Sequence, residues 1–275
     1  MSLHTTAAPR SAVRFFAALW ASLALLCAPR HANAEARSAD PVVQSDREAF
    51  LAGAQNDCRN CDLHEVNLKR RDLSGADLTG ANLTGAVLHR AKLTHAKLDH
   101  AKLQDANLNK SDMKRASLVG ADLTGALLYG TDLSGANLEG TVMAQAHMSH
   151  ARLVRAILRG ADVAQSTMTD TDLSDSDLSH ANLKQANLNG ANLSRCDLSS
   201  ALVDGAGFVR ARMSHTKMRD ISAIRADFLE ADLSGSDLTS GDFRSSRLQQ
   251  AILDGAAMDG IKTKGALLVN GAIGQ

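Results

Sequence analysis

From Cys61 to its last residues the chain repeats every five positions without loss of frame, with a large apolar residue at the centre of nearly every repeat. The spelling is plainest in Arg71–Gly85, RDLSG-ADLTG-ANLTG, and again in Ala181–Gly190, ANLKQ-ANLNG. With the central residue called i, it falls at Leu63, Leu68, Leu73 and every fifth residue to Ile273, forty-three positions in all. An internal period this short and this persistent decides the architecture before any element-by-element reading. It constrains function far less, because every repeat does the same structural job.

Neither common period fits. A helix needs apolar residues at i, i+3, i+4 and i+7, and a strand needs alternation. Here a small residue precedes the large one by two positions, as at Ala76, Ala81, Ala86 and Ala91. Asp or Asn is frequent at i−1, Ser or Thr at i+1, and Gly at i+2. Two inward positions in five, one large and one small, suit a square coil in which each pentapeptide makes one side. Gly at i+2 permits corner conformations that a Cβ would penalise. Coils stacked at strand spacing, about 4.8 Å, would give ten to eleven turns and a rod roughly 50 Å long.

The pattern resembles the pentapeptide-repeat family, whose consensus is A-[D/N]-L-X-X. The resemblance covers about four fifths of the chain. It implies an all-β solenoid, a right-handed quadrilateral β-helix, over residues 58–275. Two i positions lack a large apolar side chain, Ala223 and Thr263, and in both the i−2 residue is Ile (Ile221, Ile261). Large and small have traded places, a volume-conserving exchange that cores tolerate. Residues twenty apart should stack, so Phe208 and Phe228 are expected ring on ring. Arg71 occupies an inward i−2 slot, and whether it points inward stays open.

Residues 1–34 read as a secretory signal. Arg10 and Arg14 supply the basic start, Phe15–Cys27 the apolar run, and Ala32-Asn33-Ala34 a small-x-small site that places cleavage between Ala34 and Glu35. The apolar run is too short to span a bilayer, and the mature chain shows no transmembrane segment. Residues before Cys27 do not spell a lipoprotein site. The expected product is exported, periplasmic or secreted. It keeps 27 basic and 30 acidic residues once the three arginines of the leader are removed from the full chain's 30 and 30. That balance lacks the basicity of a nucleic-acid binder.

Residues 35–44 read as a linker and 45–57 as a capping helix and turn. Ser45-Asp46-Arg47-Glu48 has the spacing of a capping box, and Gly53 stops the helix. Solenoids need such end caps. The other end, Gly265–Gln275, stays in frame, is apolar and carries no charge. A homodimer through the C-terminal coils and a frayed tail are both open readings.

Little chemistry is spelled out. Cys58-Arg59-Asn60-Cys61 is a CxxC on the inward frame, readable as a structural disulfide or as two buried thiols. Cys196 is inward as well, and the redox state of all three stays open. Histidines recur at i+2 (His95, His100, His150, His180, His215) but lie too far apart along a face to share a metal. Carboxylates fill the i−1 slot, where they serve the turn. No nucleophile elbow, metalloprotease helix or phosphate loop is spelled. The expectation is no enzyme, no cofactor and no metal site.

Outward residues sort into four faces. The face carrying Leu68, Leu88 and Leu108 has Lys69, Arg70, Arg90, Lys110, Arg210 and Arg247 against Asp170, Asp227 and Glu230. It also shows Leu127, Tyr129, Val209 and Leu229 outward, with Tyr129 the sole tyrosine. Tyr and Arg are typical of binding hot spots, so Tyr129, Leu127, Val209, Arg210 and Leu229 form the candidate partner face. The opposite face, Leu78 onward, is net acidic, and the remaining two sum close to neutral. The leading reading is a non-catalytic exported scaffold or protein-binding module whose partner is an unknown protein or envelope component. Some family members resemble B-form DNA and act on DNA gyrase. That alternative, a DNA-mimicking modulator of gyrase or topoisomerase, applies if the protein is cytoplasmic. The even charge and the export signal depart from it.

Overall fold

The computed structural model describes residues 41–271 and Gly274. The leader, the Ala34/Glu35 junction and residues 35–40 of the expected linker lie outside the described residues.

The repeat satisfies its backbone almost completely. Each i−1 residue pairs in parallel with the residue twenty further on, from Asp57↔Asp77 to Arg247↔Leu267, so four pentapeptides make one coil. Each face contributes only one bridging residue per coil, too few to form an extended strand. Within a repeat, the next i−2 N–H closes the corner on the i carbonyl, as Ala76 does on Leu73 at 3.0 Å. The i and i+2 N–H groups donate to the following coil (Leu73 to Lys92 at 2.7 Å, Gly75 to Thr94 at 2.9 Å). The i−1 N–H donates to the preceding one (Asp77 to Asn56 at 2.9 Å). Only the i+1 N–H is left over, and an unpaired amide is costly.

The Asp or Asn at i−1 takes that last amide. Its Oδ1 accepts from the residue two ahead, as at Ser74→Asp72 (3.1 Å) and Thr124→Asp122 (3.0 Å). This is an Asx turn repeated around the coil. Where i−1 is something else, an Asx at i+1 of the preceding coil can reach up instead. Asp99 accepts from Val119 (2.8 Å), Asn109 from Tyr129 (2.7 Å), Asn189 from Val209 (2.9 Å) and Asp204 from Ile224 (3.1 Å). Where the i+1 amide has a side-chain acceptor, it comes from the same repeat or from one coil away.

The corner needs a positive φ at i+2, the signature of a type II turn. Glycine adopts it freely, but twenty-seven non-glycine residues also hold φ between 54° and 62°. Every i+2 histidine named above is among them. The recurring histidines are therefore corner residues in a left-handed conformation. Among the described residues no group of His, Cys, Asp or Glu is arranged to hold a metal.

Inside, Leu at i and Ala at i−2 are sealed through most of the coil. Ser and Thr replacing Ala at i−2 mostly return their hydroxyls to carbonyls, as Ser166 does to Val163 at 2.7 Å and Thr131 to Leu108 at 2.8 Å. Ser111 Oγ is the exception among the described residues, buried with no partner. Phe208 and Phe228 stack with centroids 5.0 Å apart and planes 3° from parallel. The Ile221/Ala223 exchange is balanced along the axis as well as within its repeat. One coil on, the same slots hold Gly241 and Phe243. A Cβ on Gly241 would lie 3.1 Å from Ile221 Cγ2 and 2.6 Å from Phe243 Cε2. The small residue sits where the exchanged large one reaches.

Helix α1 runs Pro41–Ala52, earlier than the expected start at Ser45. Proline suits a first turn, where its missing N–H costs nothing. Ser45 and Glu48 therefore lie inside the helix and do not cap it, and residues 41–44 are helical instead of linker. The C-terminal stop is as expected. Gly53, φ +78°, donates to Phe50 at 3.0 Å and Ala54 to Ala49 at 2.9 Å, a Schellman pair. Phe50 is buried against the first coil. Arg71 ends this helix too. Its guanidinium donates to the carbonyls of Phe50 and Leu51 and lies 4.8 Å from the Phe50 ring centroid. An inward arginine is tolerated because it meets the negative end of a helix.

At the far end the seal opens. Leu253, Ile261 and Leu268 are only partly buried, and Met258 is 42% exposed, where interior i residues are closed off. No helix among the described residues is long and apolar enough to cross a membrane.

Candidate functional site

Tyr129 projects from the Leu68 face at an i+1 position and is 46% exposed. Its backbone is fixed from the coil below by the Asn109 bond, so the ring stands on a defined corner. Lys110 Nζ lies 5.9 Å from the ring centroid. The His150 ring meets it edge-on at 5.3 Å and 75°. A rigid amphipathic ring flanked by a cation is the composition of an interface anchor.

Most of the remaining candidates do not gather around it. Val209 and Leu229 are half-buried and lie four and five coils away, roughly 19 and 24 Å at strand spacing. Leu127 alone is beside it, two residues before Tyr129 in the same repeat and half-buried. Arg210 is engaged by Glu230 at 2.6 Å, and Arg247 by Asp227 at 2.5 Å. The net-positive face expected from sequence thus divides. The C-terminal part is neutralised by ladder ion pairs, while Lys69, Arg70, Arg90 and Lys110 make no ion pair among the described residues. Desolvation and then the charges of Arg90, Lys69, Lys110 and Arg70 push the His89 imidazole below its ordinary pKa. Exposed apolar residues also occur on the other faces, at Val142, Ile157, Leu202 and Ile252. What distinguishes Tyr129 is its setting, the Asn109-capped corner with Lys110 and His150 against the ring.

Cys58 and Cys61 form a disulfide with Cα atoms 5.2 Å apart, both buried in the first coil. Cys196 is a buried free thiol whose pKa burial pushes up to about 12, and its sulfur donates to the Leu173 carbonyl at 2.7 Å. A thiol so held is not a nucleophile. The carboxylates that sequence assigned to the turns are there, bonding backbone amides.

A family model described as Pentapeptide repeats matches residues 61–99, 91–128, 131–170, 166–205, 206–244 and 226–262. The chain belongs to the pentapeptide-repeat family. The fold is the right-handed quadrilateral β-helix of its relatives. HetL, a pentapeptide repeat protein involved in heterocyst differentiation regulation from the cyanobacterium Nostoc sp. strain PCC 7120, is 29% identical with a TM-score of 0.55. That match covers 84% of this chain and 98% of HetL. The plasmid-mediated fluoroquinolone resistance protein QnrB1 is 19% identical over 60% of this chain and 88% of its own, with a TM-score of 0.45. A pentapeptide repeat protein of the Arabidopsis thaliana thylakoid lumen is 29% identical over 39% of this chain and 71% of its own, with a TM-score of 0.30. Among curated proteins none matches.

Proposed function

We propose that this pentapeptide-repeat protein is an exported, non-catalytic binding module that engages a protein of the cell envelope through the Lys110–Tyr129–His150 patch. The observation that carries the reading is Tyr129, held half-exposed on a capped corner between a cation and an imidazole. Repeat solenoids commonly bind along their rigid surfaces, and the non-catalytic reading is supported by the buried Cys196 thiol, the Cys58–Cys61 disulfide and carboxylates such as Asp72 and Asp122 that serve the turns. The leader-like first 34 residues support export, and the Cys58–Cys61 disulfide suits an oxidising compartment. Export is tested by the mass of the native protein, which should begin at Glu35. A full-length chain in the cytosol would sink it. The binding role is tested by capture from envelope fractions on wild-type protein and on Tyr129→Ser and Lys110→Gln variants. A partner held by wild type and released by both supports the patch, and identical captures dismiss it.

A second reading concerns assembly. The half-open Leu253, Met258, Ile261 and Leu268 favour a second copy of this chain packed on the last coils. Light scattering at micromolar concentration would give a dimer mass, and a monomer mass would count against it.

A further inference from the structure

The Leu73 face sums close to neutral, yet it carries a concave basic strip. A groove of about 510 Å³ runs along four coils between Thr94 and Arg155, lined by His95, Lys114, Arg115, Arg152 and Arg155. All five are exposed. The nearby acids are already engaged. Asp112 and Asp132 both bind Lys114, at 3.2 and 3.3 Å, and Asp132 also accepts from Ser134. Asp175, one coil beyond Arg155, is held by Arg195 through two bonds of 2.6 and 2.8 Å. Asp172 accepts from Ser174 and Asn192. Arg115, Arg152 and Arg155 make no ion pair among the described residues. Three guanidinium groups therefore face one groove with their donors free.

Gly135 makes the groove. It shares a corner column with His95, Arg115 and Arg155, twenty residues apart in turn, and is the one member of that run without a side chain. A Cβ there would sit 3.5 Å from Arg115 Cγ, and a longer side chain would occupy the notch between the two arginines. Arg115 and Arg155 stand two coils apart, roughly 10 Å along the axis. A lone monovalent anion is short for that separation, whereas a chain of anionic groups can meet guanidinium forks in succession. The fork geometry matches phosphate oxygens in pairs.

We infer that this groove binds a linear oligophosphate along the coil axis, at a site separate from the Tyr129 patch. Inorganic tripolyphosphate is the probe, titrated calorimetrically into the full chain at low ionic strength, with citrate in a parallel titration. Wild type should bind tripolyphosphate more tightly than citrate, and the affinity should fall as salt rises. Arg115→Gln and Arg155→Gln should each weaken binding about tenfold or more. Gly135→Asn fills the notch without changing charge and tolerates a positive φ, and it should also lose binding. Arg225→Gln, at an exposed corner of another face, should bind as wild type does. Circular dichroism checks that each variant is folded. The proposal is overturned if tripolyphosphate does not bind, if citrate binds equally well, or if binding survives in Arg115→Gln, Arg155→Gln or Gly135→Asn.

Discussion

Replacing Gly241 with alanine tests whether the core is matched along the axis as well as within each repeat. The added methyl would lie 2.6 Å from Phe243 Cε2, 3.0 Å from the Leu238 carbonyl oxygen and 3.1 Å from Ile221 Cγ2. Phe243 is fully buried, and its ring centroid is 5.7 Å from that of Phe228, so it has little room to turn away. The carbonyl belongs to the corner bond from Gly241 itself, at 3.0 Å. Overpacking at such a site costs about 1–3 kcal/mol. Urea unfolding followed by circular dichroism should show a lowered midpoint with an unchanged slope. Phe243→Leu removes the nearest atom. In that background the alanine should cost at least about 1 kcal/mol less, a coupling within the range of touching residues. A neutral Gly241→Ala, or additivity within about 0.5 kcal/mol, would refute the axial matching.

Three other outcomes follow from the backbone and hydrogen-bond pattern. Ser111→Ala should raise stability by about 1 kcal/mol in the same urea assay, because it removes a buried hydroxyl that has no partner. Arg225→Gly relieves a left-handed corner, φ 59°, and should raise the thermal midpoint through a gain of about 0.5–1 kcal/mol, the side-chain strain less the entropy of glycine. Hydrogen bonds from Thr239, first through its side chain and then its backbone, hold Asp237 below the usual carboxylate range, and bonds from Ser74 do the same for Asp72. Depressed folded-state values mean that this stability is present above about pH 4 and is lost as pH falls through the folded pKa. Acid unfolding should therefore set in below pH 4. Asp237→Asn, which keeps an acceptor for the Thr239 amide, should retain neutral-pH stability while flattening the acid limb.

The five-residue frame made most of the fold legible. It located the inward i and i−2 columns, set the twenty-residue stacking distance that brings Phe208 over Phe228, and accounted for Asp at i−1 as a turn residue. The frame is less informative where interactions cross from coil to coil. Asn109 and Asn189 look like ordinary i+1 residues until a coil above them lacks its own Asx. Gly241 looks like a weak repeat until Ile221 and Phe243 are seen against it. Arg71 looked anomalous because its partner, the C-terminus of α1, lies outside the repeat. Helix α1 itself began early because Pro41 is a better first-turn signal here than Ser45 is a cap. The surface was the least legible part. Net charge per face merged the paired Arg210 and Arg247 with the unpaired Lys69, Arg70, Arg90 and Lys110. It also hid Arg115, Arg152 and Arg155 behind carboxylates that are bonded elsewhere. Pairing each charge with its neighbours twenty residues away would have revealed the first; the second also needs the contacts two and eighteen residues away that tie Lys114 to Asp112 and Asp132.

The most direct test of the binding role uses the one tyrosine of the chain. Protein labelled with fluorotyrosine should give a single fluorine NMR resonance, reporting Tyr129 alone. Addition of the envelope protein recovered by capture should shift or broaden that line in proportion to the complex formed, while tripolyphosphate should leave it in place. A sharp, unmoved resonance in the presence of a bound partner would show that the partner sits elsewhere, and the Tyr129 patch would no longer be the site.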